Sequence, residues 1–495
     1  MKKNNFKNNL ILIWSILVLL GTVFFILEKT RYLFVVDSDI LWHIKTGDWI
    51  LQNKQVPKVD VFSWHEGLNW MPHEWLYDVF LSLIYSGFGL KGIMSIAAII
   101  LIGRIAFVTV YNVAIKKENI QAYSIFTAIL IIFIGYTWAV GRPLELTMII
   151  IMANLITFIE KRKKVVYYTT FGVSCLLVAN LHGGAIQSLF APIIIMLIAD
   201  LAYFWKDRKK EEGQAHLESA IIKLKSIVIG IIASLANPHG INVYSYCFKM
   251  LFTSAKEATN TIAEWQPITF INTVACLLFI AVFISFAFNK KIQKLDKKSM
   301  SKLLIICFWG VGMLRYCRLT PVFLFTVLLW GYEFIREFVM CIVENFNLEK
   351  IFKIAKILIT MLGLIFIIIT MVMGIKWIKY YYTNKEEDLL RQGFPYGGIK
   401  YLKENNIKTK IYADDWGSWM LFNDIPTFMD GRCDPFVKEF SPGNNQFVEC
   451  ANIDSLDDYL EIFKKYDKDT MILLESTGEW ETVVTEPRAM LLKKK

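Results

Sequence analysis

Two carboxylates one residue apart, Asp37 and Asp39, stand in the stretch VVDSDILWHIKTGDWI, with Trp42 and His43 close behind. A carboxylate so placed can take the proton of an attacking hydroxyl, or hold a divalent cation through oxygen ligands. In extended backbone Asp37 and Asp39 point to one side. If the chain turns helical at ILWHIKTGDWI, His43 lies one turn beyond Asp39 and the two can meet, which favours Asp39 as the base and Asp37 as orienter or cation ligand. Further polar residues recur in short segments: His73 and Glu74 in MPHEW, Arg142 and Glu145 in VGRPLEL, Asn180 and His182 in ANLHGG, Asn237 and His239 in ANPHG, Glu264 in AEWQP, and Arg315 and Arg318 in RYCRLTP. Arginines and helix N-termini stabilise a phosphate leaving group while a carboxylate accepts a proton, so this set suits group transfer from a lipid-carried phosphate. Taken singly, each residue also has a plain structural reading as a helix end or an interfacial anchor.

The elements that must position these groups are membrane helices. With 55% hydrophobic and 20% charged residues and a mean hydropathy of +0.42, the chain has too little polar surface for a soluble protein of 495 residues. Its formal charge of +10 does not point to nucleic acid, because residues 381–495 hold 15 Lys and Arg against 21 Asp and Glu. The excess sits elsewhere, in short loops between apolar runs, as orientation signals do. About eleven spans are expected, near 10–28, 91–115, 120–140, 143–160, 165–181, 184–205, 221–236, 268–288, 303–316, 319–337 and 351–378. The first reads as an uncleaved span rather than a signal peptide. Basic clusters at Lys2 and Lys3, Lys116 and Lys117, KRKK, KDRKK and KKIQKLDKKSMSK then fall on alternate connections, which places the N-terminus in the cytoplasm. The segment 73–89 is apolar but short and carries Glu74 and Asp78, as an interfacial helix would.

On this topology nearly all the unusual polar residues, with five of the six histidines, lie on the extracytoplasmic side, where two acids in sequence can face water. They describe a polar pocket built from many loops at the outer membrane face. Residues 1–380 form the membrane domain, with a first outer loop at 30–90, and residues 381–495 a small extracytoplasmic α/β domain. In the latter GIKYLKENN and LDDYLEIFKKY read as helices, and KIYAD, TFMD, TMILLES and AMLLK as strands. Cys433 and Cys450 lie together in this polar region and could form a disulfide if it is exported. Most other cysteines fall in apolar segments, and without a C-x-x-C pair zinc is not expected.

The paired acids after the first span, the surface helix that follows and the basic-ended second span resemble the superfamily C glycosyltransferases, which include protein mannosyltransferases and lipid A aminoarabinose transferases. More closely, DSDILWHIKTGDWI, PKVDVFSW, PHEWL, GRP, NLHGG, NPHG and MDGRCDPF look like a widespread bacterial branch of that superfamily. The resemblance implies a sugar carried on polyprenyl phosphate as partner, a site at the outer face, and Asp37 or Asp39 as the catalytic acid. It also draws Asp430 and Arg432 toward the acceptor. The sequence departs from the aminoarabinose transferases in having MPHEW where those carry a Lys-Pro-Pro segment. A transporter or flippase of a lipid-linked glycan, and a non-catalytic envelope assembly protein, are the competing readings. Transport calls for polar or broken-helix elements near the midplane, and the sequence offers few beyond Arg104 and Asp200.

Overall fold

The computed structural model describes residues 2–29, 37–134, 141–252, 265–267, 277–282, 284–285, 296–407, 411–413, 416–432, 434–436, 459–463, 478–486 and 489–495. The chain is mainly helical. In order the helices are α1 (Lys2–Lys29), α2 (Asp39–Asn53), α3 (Trp75–Val110), α4 (Ile120–Ile134), α5 (Pro143–Ile159), α6 (Lys164–Leu181), α7 (Gln187–Asp207) and α8 (Glu211–Ser234). There follow α9 (Asn242–Phe252), α10 (Lys297–Arg315), α11 (Thr320–Thr326), α12 (Tyr332–Asn345), α13 (Glu349–Thr383), α14 (Glu386–Gly393), α15 (Tyr396–Glu404) and α16 (Gly417–Phe422).

Among the described residues five helices are long and apolar enough to cross a bilayer: Asn8–Lys29, Trp75–Ile115, Lys164–Leu181, Gly183–Asp207 and Glu349–Thr383. Two shorter apolar helices, Ile120–Ile132 and Pro143–Ile159, stand beside them. The remaining expected spans differ for physical reasons. α8 opens on the charged run EEGQAHLE, α10 opens on KKSMSK, and a π-helical turn at Val327–Gly331 separates α11 from α12. Most of 268–288 lies outside the described residues.

The basic connections gather at one end of the bundle. Lys116 and Lys298 each reach Glu160 at 2.9 Å, while Lys223 and Lys297 hold Asp200 at 2.6 and 2.7 Å. At the opposite end the first loop folds back as α2, whose Ile40 and Ile44 pack with Tyr77, Leu81 and Ile93 of α3. α3 is broken at Gly89, where φ of 61° and ψ of −160° lie outside the range that side-chain-bearing residues favour. The break frees the Leu90 amide, and the Glu386 carboxylate, which also accepts from the Tyr85 hydroxyl at 2.7 Å, caps it at 3.0 Å. The segments the sequence separates as a surface helix and a span thus meet at a glycine.

The C-terminal region carries a four-stranded sheet of order β1-β2-β4-β3, with β1 Ile411–Ala413, β2 Tyr459–Phe463, β3 Trp480–Thr485 and β4 Ala489–Lys494. β1 runs parallel to β2, and the other pairs are antiparallel. KIYAD and AMLLK supply strands and GIKYLKENN a helix, as expected, while TFMD contributes a single bridge from Thr427 to Ile411. The expected helix at LDDYLEIFKKY is corrected: Tyr459–Phe463 is a strand opposite Lys493–Ala489. Its alternating Leu460 and Ile462, flanked by Tyr459 and Phe463, suit a pleated ladder better than the charge spacing suited a helix. TMILLES, Cys433 and Cys450, and with them the disulfide, lie outside the described residues.

One ion cluster joins this region to the first loop. Arg432 Nη1 donates to Asp60 Oδ1 at 2.6 Å, and its Nε and Nη2 donate to the two oxygens of Asp430 at 2.8 and 2.6 Å. All three side chains are fully buried, and the guanidinium lies 4.5 Å from the Trp70 ring and 5.0 Å from Phe62. Burial opposes the charge of Arg432, but Asp430 and Asp60 outweigh it and hold the guanidinium above its usual range. Asp60 is itself fixed by its turn, accepting from the Phe62 and Ser63 amides. Arg432→Met leaves two buried carboxylates without their cation, a change that costs about 3 to 5 kcal/mol. The unfolding midpoint of the detergent-purified variant should fall sharply, and an unchanged midpoint would mean the cluster does not hold the two regions together.

Candidate functional site

The DSD segment forms the N-terminal turn of α2. Ser38 adopts φ −62° and ψ −22°, so the extended backbone expected through Asp37 and Asp39 is replaced by a helical turn, and the Asp39 amide donates to Asp37 Oδ1 at 3.3 Å. Negative charge is favoured there by the helix dipole. Arg142, at the extended N-cap of α5, gathers both acids: its Nε and Nη2 donate to Asp37 at 3.1 and 3.0 Å, and Nη2 stands 2.9 Å from Asp39 Oδ2. The guanidinium therefore takes the place where the sequence suggested a divalent cation. Among the described residues no group of His, Cys, Asp and Glu is arranged to hold a metal ion.

From the other side the C-terminal region closes on Asp39. A Cβ on Gly431 would lie 2.5 Å from Asp39 Oδ1 and 2.8 Å from Ser418 Oγ, so a larger residue would push those two side chains aside. The Asp39 and Arg142 side chains keep 24% and 30% exposure, which makes them the accessible edge of the site.

Deeper in, α2 does turn helical over Asp39–Asn53 as expected, but it presents His43 to two other carboxylates. His43 Nδ1 lies 2.6 Å from Asp78 Oδ1 on α3, and Nε2 lies 3.6 Å from Glu74 Oε2. Glu74 Oε1 meets His182 Nε2 at 3.3 Å and His73 Nε2 at 3.6 Å. His73 Nδ1 then faces Asp434 at 3.7 Å, and the Tyr246 hydroxyl of α9 donates to Asp434 at 3.0 Å. The result is a line of alternating acids and imidazoles, Asp78–His43–Glu74–His73–Asp434, hydrogen-bonded at Asp78–His43 and spaced at 3.6 to 3.7 Å beyond, with His182 branching from Glu74.

Burial sets the protonation of this chain. It pushes Glu74 up to about 8, with Arg318 opposing and Asp434 and Asp39 adding to the rise. Asp434 is likewise pushed up to about 7 by burial, against the pull of the Tyr246 hydrogen bond and Arg318. Burial drives His73 down to about 3, and His43 well below its ordinary value with help from the charge of Arg142. Near neutral pH Glu74 is thus largely protonated beside uncharged imidazoles, and Asp434 is poised between its two states.

The remaining expected residues frame the cluster. Arg318 acts on it electrostatically and lies 5.3 Å from the Trp265 ring, whereas Arg315 is exposed against Tyr316. Asn180 Oδ1 accepts from Trp75 Nε1 at 3.0 Å, and its amide donates to Ala236 O. Asn237 closes its own loop through Ser234 O and Gly240 O, and His239 Nε2 lies 3.2 Å from Pro72 O. Glu145 turns away to pair with Arg104 among the helices. Asp430 and Arg432 belong to the buried ion cluster, and Glu264 lies outside the described residues.

Four contributors escaped the sequence reading: Asp60, Asp78, Tyr246 and Asp434. Asp78 follows Glu74 by one helical turn, a spacing that could have paired them, and Asp434 sits in the same short segment as Arg432. Tyr246 carries no such signal. Compared with known proteins, the chain matches no family model and no curated protein.

The protonation pattern fixes a pH dependence. Glu74 and Asp434, raised from ordinary values of 4.5 and 3.8, contribute stability at low pH that is lost as pH rises through about 8 and 7. His73 and His43, lowered from 6.5, contribute stability above that value that is lost as pH falls. The thermal midpoint should therefore peak between about pH 5 and 6 and decline toward pH 8. Glu74→Gln removes one titrating group and should flatten the alkaline decline. An equal decline in the variant would contradict the assignment.

Proposed function

We propose that the protein is a membrane glycosyltransferase that moves a sugar from a polyprenyl-phosphate carrier to an extracytoplasmic acceptor of the cell envelope. One observation carries the reading: each of seven separate segments, DSDILWH, PKVDVFSW, PHEWL, GRP, NLHGG, NPHG and MDGRCDPF, brings a residue to one joint at the end of the bundle opposite the lysine-rich connections. Basic connections at one end and this joint at the other fit the about-eleven-span topology with the site outside.

Arg142 is the group for the carrier phosphate, because it is accessible and its fork already matches oxyanions in Asp37 and Asp39. A phosphate arriving there draws the guanidinium from Asp39 and frees that carboxylate. The acceptor hydroxyl then gives its proton to Asp39, and its oxygen forms the new bond to the anomeric carbon. The bond from that carbon to the phosphate oxygen breaks with its electron pair, leaving polyprenyl phosphate and an inverted sugar. Asp37 holds Arg142 in place, and Asp39, a quarter exposed, then releases the proton to water. A transporter or flippase is the second reading, favoured by the Arg104–Glu145 pair among apolar helices, since ionisable groups there often mark pathways.

The test is transfer in proteoliposomes supplied with polyprenyl-phosphate sugars and read by mass spectrometry of the products. Asp39→Asn, at normal expression, should lower the rate about 100- to 10,000-fold. Arg142→Lys should weaken donor binding by about 1.5 to 3 kcal/mol, having lost the planar fork. Full transfer by Asp37→Asn and Asp39→Asn alike would remove the chemical basis of the reading.

A further inference from the structure

A cavity of about 420 Å³ opens between the second half of α2, the first loop at Val61 and Phe62, and the turn that follows α16. That volume falls within the range of small-molecule sites, about 300 to 1,000 Å³. Lys45, Trp49 and Gln52 of α2 follow one another at helical spacing, so they line it as a single stripe with Asp48 beside them. The other walls bring Asp424, Val61 and Pro426, all exposed. Lys45 Nζ ties the walls together, 2.6 Å from Asp424 Oδ1, and Asp424 stands at φ of 63°, a left-handed conformation that aspartate tolerates. On the α3 side the Ser82 hydroxyl donates to Asp48 Oδ1 at 2.5 Å.

Two side chains in this lining face the cavity with their recognition groups unspent. Trp49 is partly exposed, and among the described residues no aromatic ring and no cation lies against its indole. Gln52 is exposed, and its amide makes no hydrogen bond among them. Lys45 and Asp424 neutralise one another, so the cavity presents a mixture of donors and acceptors rather than one sign of charge. An anion would face two carboxylates and a cation would face Lys45, whereas a hydroxyl can donate to the first and accept from the second. The flat indole suits the C–H face of a sugar ring, and the Gln52 amide suits its hydroxyls. We infer that this cavity binds an uncharged saccharide chain. By the helical rise Lys45 and Gln52 stand about 9 and 20 Å along α2 from Asp39, so the occupant lies apart from the carboxylate edge. Binding here does not depend on transfer. If the transfer reading also holds, the cavity takes an inner unit of the acceptor whose end reaches Asp39.

Equilibrium dialysis on the full chain, in an uncharged polyoxyethylene detergent free of sugar, tests this with four probes: N-acetylchitotetraose, its deacetylated and cationic counterpart, tetragalacturonate and phosphocholine. The uncharged tetramer should bind with a Kd of about 1 mM or tighter, and at least about fivefold more tightly than either charged tetramer. Gln52→Leu, on an exposed side chain without an internal partner, should weaken it about three- to tenfold. Trp49→Leu should weaken it about tenfold, while Trp49→Phe, which keeps a flat ring, retains most of the binding. Gln52→Leu keeps the inference open to refutation should Trp49→Leu fail to fold. Absence of binding below about 10 mM, equal binding of a charged tetramer, or indifference to Gln52→Leu would overturn the inference. Tighter binding of phosphocholine than of the uncharged tetramer would overturn it too, by assigning the cavity to a lipid headgroup. Because the measurement involves no turnover, its failure is distinct from a failure of transfer.

Discussion

The joint between the helical bundle and the C-terminal sheet depends on the Arg432 guanidinium, buried between Asp60 and Asp430. A buried cation is costly unless every donor is satisfied, and here the fork binds both oxygens of Asp430 while its remaining arm binds Asp60. The consequence is positional. With Arg432 fixed, Gly431 is held against Asp39 and Asp434 is carried to His73, so one arginine sets the registry of the accessible edge and of the inner chain alike. It also braces the ring of Trp70.

The site so assembled is rich in acids, and the fold handles them in two ways. At the edge, Asp37 and Asp39 share the one cation of Arg142 and are supported by the start of α2. Inside, burial favours the protonated forms of Glu74 and Asp434, separated by an uncharged His73. The first arrangement leaves carboxylate oxygen at the accessible edge, and the second keeps its acids out of water. The two are coupled electrostatically through His43, whose imidazole feels the charge of Arg142.

Much of this was legible in the sequence because it rests on residue types that are costly to bury. Apolar runs gave the helices, and polar residues interrupting their ends marked the joint, since a histidine or carboxylate at the end of such a run must find a partner. What could not be read was the pairing. His43 lies one turn from Asp39 in sequence, yet the face of α2 that carries it turns toward α3 and Asp78. Arg432 and Asp60 are 372 residues apart and meet only through tertiary folding. The strand at Tyr459–Phe463 was hidden because its neighbours carry helix-like charges, and its ladder partner lies near the C-terminus.

The central claim is that this joint lies at the extracytoplasmic face of a membrane, where a lipid-carried donor and an envelope acceptor can meet. Single cysteines at Asn53, on the exposed end of α2, and at Lys163 and Lys209, beside the basic connections, test it most directly. In intact cells an impermeant thiol reagent should label the cysteine at Asn53 and leave those at Lys163 and Lys209 untouched until the membrane is permeabilised. The reverse pattern would place the acids and the histidine cluster in the cytoplasm and contradict the account.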